Sequence, residues 1–321
     1  MEINFNKQSG LSLVELMIAS TLSLIIIAGV VQVFIGTKAS YLTTENIGRA
    51  QENGRFALSI LSDDLQKADF WGDYAGTLSA SSFSAIPGAP TPDCVGEGLN
   101  NATFPTALGH FRTIWGTTAT AAANMGCIND AVIGSDILQL KRVIANPIDP
   151  VATPIAANKH YMLTNVNGGQ IFTGGALPTV DNSRLWEYRH HVYYVKKDGT
   201  KKVPVLMQGH LNNNMTFDPM IDGIERIRFM YGVDTDDDGI VNAYVSASKM
   251  TNEYWDRGGN SRIIAVKVYV LARSVNEDRK YNNKNSYQLG DLKVTMNDHY
   301  RRLLFSSTVT LFNARVDNWG S

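Results

Sequence analysis

The sequence is poor in cysteine, in charge of one sign and in signatures of catalysis. Among its 321 residues only Cys94 and Cys127 are cysteines. They are not a CxxC pair, and no nearby histidines complete a zinc site. Lysine and arginine number 29 against 30 aspartate and glutamate, a formal net charge of -1. That balance offers nothing to nucleic acid, whose binding needs clustered Lys and Arg. The histidines are His110, His160, His190, His191, His210 and His299, and none belongs to an HExxH motif. His190 and His191 would point to opposite faces of a strand, a poor chelate. GxSxG, P-loop and Rossmann fingerprints are missing too, so no enzyme is expected. The length suits one large domain or two ordinary ones, with a sizeable core.

What the chain does have is one long apolar run. From Leu11 to Ile35 it reads LSLVELMIASTLSLIIIAGVVQVFI, 25 residues with a single charge, Glu15. As a helix this spans roughly 37 Å at ~1.5 Å per residue, enough to cross a bilayer core. The run is too long for a secretory signal peptide, and no clear small-x-small site follows it. A plain single-span anchor accounts for everything except Glu15 and the residues just before the run. A charge deep in a membrane costs about 2.5–3.5 kcal/mol, so Glu15 calls for a partner.

Lys7-Gln8-Ser9-Gly10, followed by Leu11-Ser12-Leu13-Val14-Glu15-Leu16, resembles the class III signal of type IV prepilins and type II secretion pseudopilins. The resemblance implies that a prepilin peptidase cuts between Gly10 and Leu11 on the cytoplasmic face and N-methylates Leu11. Glu15 is then fifth in the mature chain. Its implied partner is the α-amine of a neighbouring subunit, poorly screened in the apolar core of a fibre. Gly10 lets the chain lie extended in a peptidase groove. Leu11 departs from the family's commonest first residue, Phe. Lys7 on one side of the run is matched by Lys38, Arg49 and Arg55 on the other, so the positive-inside rule is weak. The leader motif, not the charge, places the head outside.

Beyond the run, Ala50, Ala57, Ile60, Leu61, Leu65 and Ala68 recur at helical spacing, with Arg49, Glu52, Asp63, Asp64 and Lys67 largely elsewhere. This predicts a helix continuing to a stop at Trp71-Gly72, with Gly36, Gly48 and Gly54 as places for bending or local melting. From Gly76 to Asn129 the composition is loop-rich and holds both cysteines. Strands follow: Ile137 to Ile144, then His191 to Val195 and Val203 to Met207 around the hairpin signal Lys197-Asp198-Gly199-Thr200. Apolar alternation marks Ile227, Phe229 and Tyr231, then Ile264, Val266, Val268 and Val270, then Leu303, Phe305, Val309 and Leu311. The expected fold class is α+β: a long N-terminal transmembrane and stalk helix packed on an antiparallel β-rich head, as in pilins. The expected divisions are a leader at 1–10, the helix at 11–70 and a periplasmic or extracellular head at 71–321.

Gly54-Arg55-Phe56-Ala57-Leu58 through Asp64-Leu65, Gly134-Ser135-Asp136 before a strand, and a closing strand from Arg302-Leu303 to Asn313 resemble the PilW-type minor pilins. J-type pseudopilins are close relatives. The resemblance implies a minor pilin that helps initiate and assemble a type IV pilus near its tip, serving adhesion and twitching motility. Implied partners are other minor pilins, the major pilin, the prepilin peptidase, the inner-membrane assembly platform and a tip adhesin. The implied location is the bacterial inner membrane, with one span and a periplasmic head, and the surface fibre after assembly. A secretion pseudopilin and a membrane-tethered calcium- or glycan-binding module are the alternatives. In an exported head, Cys94 and Cys127 are expected to pair. The bridge closes a loop of about 33 residues and is worth roughly 3–4 kcal/mol.

Two readings stay open for Asp234-Thr235-Asp236-Asp237-Asp238-Gly239-Ile240-Val241-Asn242. As the first part of a calcium loop, Asp234, Asp236 and Asp238 supply carboxylates at alternate positions, Gly239 makes the sharp turn, Ile240 offers its carbonyl and Asn242 contributes directly or through water. The closing Glu is missing, since Val245 stands at position twelve. The same residues also suit an Asp-Gly hairpin turn. Mutual repulsion of four carboxylates favours the cation.

Overall fold

The structure, a computed structural model, describes residues 10, 12–197, 199 and 203–314. Helix α1 (Leu13–Gln66) is unbroken over 54 residues. The chain divides into two compact units, residues 1–48 and 49–321, and α1 contributes to both. In the first unit every described position from Leu13 to Lys38 is exposed. The helix there is apolar on all sides, with a mean hydropathy of 2.4 over its most apolar 18-residue window. A helix apolar all round and bare all round needs lipid or other protein about it.

In the second unit α1 becomes one-sided. Ala57, Leu61 and Leu65, with Ala68 just beyond the helix, are fully buried. Their spacing of three or four residues is the stripe expected of a helix lying on a sheet. Each buried leucine contributes about 1.5–3 kcal/mol. The helix ends before the expected Trp71-Gly72 stop. The N–H groups of Lys67 and Ala68 donate to the carbonyls of Asp64 and Leu65 at 3.2 and 3.1 Å, tightening the last turn. Asp69 then takes a left-handed backbone, φ 63°. Gly36, Gly48 and Gly54 do not interrupt the helix. At Gly54 a Cβ would collide with the Phe305 ring, so this glycine admits close helix–sheet approach rather than a bend.

Thirteen strands follow among the described residues: β1 (Ile114–Thr118), β2 (Asp136–Val143), β3 (His160–Asn165), β4 (Gly168–Thr173), β5 (Arg184–Lys197), β6 (Pro204–Leu211), β7 (Met215–Asp222), β8 (Ile224–Asp234), β9 (Ala243–Ser246), β10 (Arg262–Arg273), β11 (Ser286–Leu289), β12 (Leu292–Thr295) and β13 (Arg302–Thr310). A short helix, α2 (Asn252–Trp255), precedes β10. One sheet runs β1-β2-β5-β3-β4, with β6 on β5 and β7 on β6; a second runs β13-β10-β8-β9; β11 and β12 form a hairpin. Neighbouring strands are antiparallel in all three sheets. The fold is α+β, a long helix with antiparallel sheets, as the helical spacing and the alternating strands predict.

Sheet periodicity explains why β2 is buried at every position. Leu138 and Leu140 face one core, shared with α1, Ile227 and Phe229 of β8, and Val266, Val268 and Val270 of β10. Ile137 and Val143 face a second core on the opposite side, with Trp71, Phe111, Ile128 and Trp186. Irregular chain between Phe70 and Ala131 roofs that second core. The loop-rich stretch from Gly76 to Asn129 also holds β1, which its Gly and Thr content disguised.

Candidate functional site

The first functional segment lies at the start of α1. Gly10 is exposed and outside the helix, and the space a Cβ would occupy there is empty for 4 Å. Leu11 lies outside the described residues. The N–H of Ser12 donates to the Glu15 carboxylate at 2.9 Å, and the N–H of Glu15 donates to the Ser12 hydroxyl at 3.2 Å. This reciprocal pair is a capping box, which the sequence Ser12-Leu13-Val14-Glu15 supplies directly. It satisfies two of the helix's orphan donors and puts the Glu15 anion at the positive end of the macrodipole. The charge that looked unexplained in the apolar run thus has local partners within its own chain.

The head is pinned to α1 by an acid that sequence spacing had set aside. Asp64 was expected away from the buried stripe, with Asp63. Instead it is 4% exposed, three residues from Leu61 and four from Ala68, hence on the same helix face. One carboxylate oxygen accepts from the Arg142 guanidinium at 2.6–2.7 Å. The other meets His191 Nδ1 at 2.7 Å and accepts from the Tyr193 hydroxyl at 2.8 Å. Gln208 in turn donates to Tyr193 at 2.7 Å. Helix α1 and strands β2 and β5 therefore meet on one carboxylate, and β6 joins them through Tyr193. Burial alone would raise its pKa; His191, Arg142 and Tyr193 outweigh that and hold it well below the usual carboxylate range.

The roof over the second core is polar at its joints. Cys94 and Cys127 are joined by a disulfide, and both are buried. The Arg112 guanidinium is buried against the Asp256 carboxylate, the Asn252 side chain and the Glu97 carbonyl. Lys141 donates to the Asn101 side-chain oxygen at 2.8 Å and the Arg112 carbonyl at 2.9 Å, beneath the Phe111 ring. Burial pushes the Lys141 amine well below its ordinary value, with Arg112 adding to the effect and Asp93 opposing it. His110 lines the same region, and burial together with Arg257 lowers it to about 4. Sequence spacing gave no sign of these buried basic groups. A lysine at an inward position of an apolar strand, Lys141 between Leu140 and Val143, was the available hint.

The acidic loop follows β8. The ligand oxygens of Asp234, Asp236 and Asp238 lie within 4.8 Å of one another. Asp234 is buried and organises the loop: its carboxylate accepts from the N–H groups of Asp236, Asp237 and Gly239 at 3.3, 2.8 and 2.8 Å. Burial opposes ionisation, but those backbone donors prevail and lower its pKa. Asp237 and Gly239 are left-handed, φ 61° and 81°, which winds the loop around the carboxylates. Arg262 pairs with Asp237 at 3.2 Å and relieves part of the acidic repulsion. Asn242 turns inward, its side-chain oxygen accepting from the Thr235 N–H at 2.7 Å and hydroxyl at 3.2 Å. Ile240 stays exposed, and its N–H donates to Asp238 at 2.7 Å. Three carboxylates thus converge as a cation would require, while Asn242 is committed to closing the loop base.

Residues 192–313 match the family model described as Type IV Pilus-assembly protein W. Residues 5–31 match that of the prokaryotic N-terminal methylation motif. No curated protein matches the chain. A solved type IV-like pilin from Thermus thermophilus is 12% identical, with 83% of this chain and 98% of that one covered at a TM-score of 0.37.

Proposed function

We propose that this chain, a type IV pilin-like protein of the PilW type, is a minor subunit that helps initiate and assemble a type IV pilus and stands near its tip. One observation carries the reading. The methylation motif falls on the start of a helix whose apolar surface is bare over its first turns, with Glu15 fifth after Gly10. The apolar helix and the motif fit a membrane-anchored pilin. We place the head in the periplasm, with other pilins, the prepilin peptidase, the assembly platform and a tip adhesin as partners. Cleavage after Gly10 would free the α-amine of Leu11, and Glu15 would meet the same group on a neighbour.

Glu15→Leu tests this. The variant should be exported, cut after Gly10 and inserted, because the span only becomes more apolar. It should enter fibres poorly, since no carboxylate remains to recognise an incoming α-amine. Fibre counts in a strain lacking the wild-type copy, with the mass of the mature N-terminus, read both steps. Normal piliation by Glu15→Leu would remove the assembly role.

The three converging carboxylates also motivate a calcium site at Asp234, Asp236 and Asp238, with the Ile240 carbonyl as a further ligand. Three backbone donors occupy about three of the four lone-pair sites of Asp234, which leaves room for one metal bond. Affinity would be modest without a closing Glu. The purified protein should melt higher in calcium than in chelator, and Asp238→Ala should abolish the difference. Identical melting in both conditions would reduce the loop to a turn.

A further inference from the structure

Strand β13 is the outer strand of its sheet. It pairs with β10 in continuous register from Arg302↔Arg273 to Thr310↔Ala265, without a bulge. Two flanking bonds fix the phase: the Leu311 N–H donates to the Ile264 carbonyl at 2.9 Å, and the Ser274 N–H donates to the Arg301 carbonyl at 2.8 Å. Odd-numbered residues of β13 therefore turn their main-chain groups toward β10. Leu304, Ser306, Thr308 and Thr310 turn theirs away, and no described residue bonds to them. A free row of this kind is a template for another strand.

The other sheet edges are blunted. β9 has four residues and β1 five. β7 carries Pro219, and the β6–β7 pairing has a register shift at Leu206/Met207. β4 is covered by residues 83–85, through the Ser84 N–H to the Gly169 carbonyl and the Ile171 N–H to the Ala85 carbonyl. Among the described strands, only β13 combines length with none of these devices. Its stretch Leu303 to Leu311 has no charge, no proline and no glycine. The side facing α1 keeps Phe305 half-buried, and the opposite side presents Leu304, Ser306, Thr308 and Thr310, all exposed.

We propose that β13 docks an extended strand from a different subunit of the fibre, paired main chain to main chain. The occupant is uncharged over the paired stretch, because a charge laid along this strip would lose water and gain no counter-ion. It alternates apolar side chains beside Phe305 with small polar ones beside Ser306 and Thr308. This rests on the reading of the chain as a fibre subunit.

The test uses the full-length chain in cells that assemble fibres, with a benzophenone amino acid in place of Ser306. Ultraviolet crosslinking of fibres should yield an adduct with another pilin-type subunit, located by mass spectrometry to an uncharged segment. Thr308→Pro removes only an outward N–H, a change that edge strands accept. It should lower adduct and fibre incorporation about tenfold relative to Thr308→Val. If Thr308→Pro lowers the melting temperature, Thr308→Lys replaces it, since an edge lysine repels a paired strand without removing any internal bond. Incorporation unchanged by the edge variant, an adduct with a second copy of this chain, or no adduct from chain present in fibres would each overturn the proposal. An uncut leader, or absence of the wild-type chain from fibres, would instead overturn the subunit reading beneath it.

Discussion

Gly10→Val is expected to leave the leader attached to nearly all of the chain. Nothing in the chain itself requires glycine at this position. Gly10 lies outside α1, is exposed, and has empty space where a side chain would project. A valine there would neither clash nor disturb the capping box that begins with Ser12. Any requirement must come from a second molecule that touches this backbone closely, as a peptidase groove does. Displacing a scissile bond by about 1 Å costs on the order of 10²-fold in rate. Cleavage should fall by about that factor, and precursor should accumulate in the membrane with an intact head. Immunoblots of leader-bearing against mature chain, with the N-terminal mass, measure this. Normal maturation of Gly10→Val would mean that the Gly10–Leu11 junction is not the cut.

Asp64→Ala is expected to destabilise the head by about 3–5 kcal/mol, because it strands the Arg142 guanidinium in the interior. At this size that is roughly 10 °C in melting temperature. Asp64→Leu with Arg142→Met should recover much of the loss, since an apolar pair of similar volume carries no uncompensated charge. Additive losses in the double variant would show that the ion pair is not the cause. The acid limb of stability is a second readout. Asp64 is held low in the folded state, so its contribution is full above the unfolded value near 3.8 and disappears as pH falls below it. His110 acts earlier: folding holds it neutral to about 4 against 6.5 unfolded, so stability declines as pH drops through that interval. Asp64→Asn should flatten the curve below about pH 4 and leave the higher limb unchanged.

Legibility in the sequence followed solvent geometry. The bare apolar turns of α1, the pairing of β5 with β6, and the alternation in β8, β10 and β13 each contrast one face with another, and such contrast is what periodicity detects. The expected turn at Asp198 and Thr200 lies outside the described residues. The signal failed where both faces are buried. In β2 the strand itself is legible, from Ile137 to Ile144, but the burial of Gln139 and Lys141 under the roof is not. It failed again at Asp64, where a charge sits on an apolar stripe because its partners arrive from strands 78 and more residues away. Gly54 was legible as a glycine but not as a contact, since Phe305 is distant in sequence. Near Glu15 the motif points only to a partner on a neighbouring subunit; the capping serine three residues before the glutamate, equally visible in the sequence, supplies the local partners that this reading leaves out.

The bare first turns of α1 carry a consequence for the work of assembly. Lipid tails are as apolar as leucine side chains, so a helix moving from bilayer to fibre exchanges one oily medium for another. That exchange releases little hydration and gives the fibre no hydrophobic advantage over the membrane. On the proposed pilus reading, the preference would come from the few groups that distinguish protein neighbours from lipid: the Glu15 carboxylate and the surface of the head. A subunit built this way would move between membrane and fibre with little bias, and small polar terms would decide which way it goes.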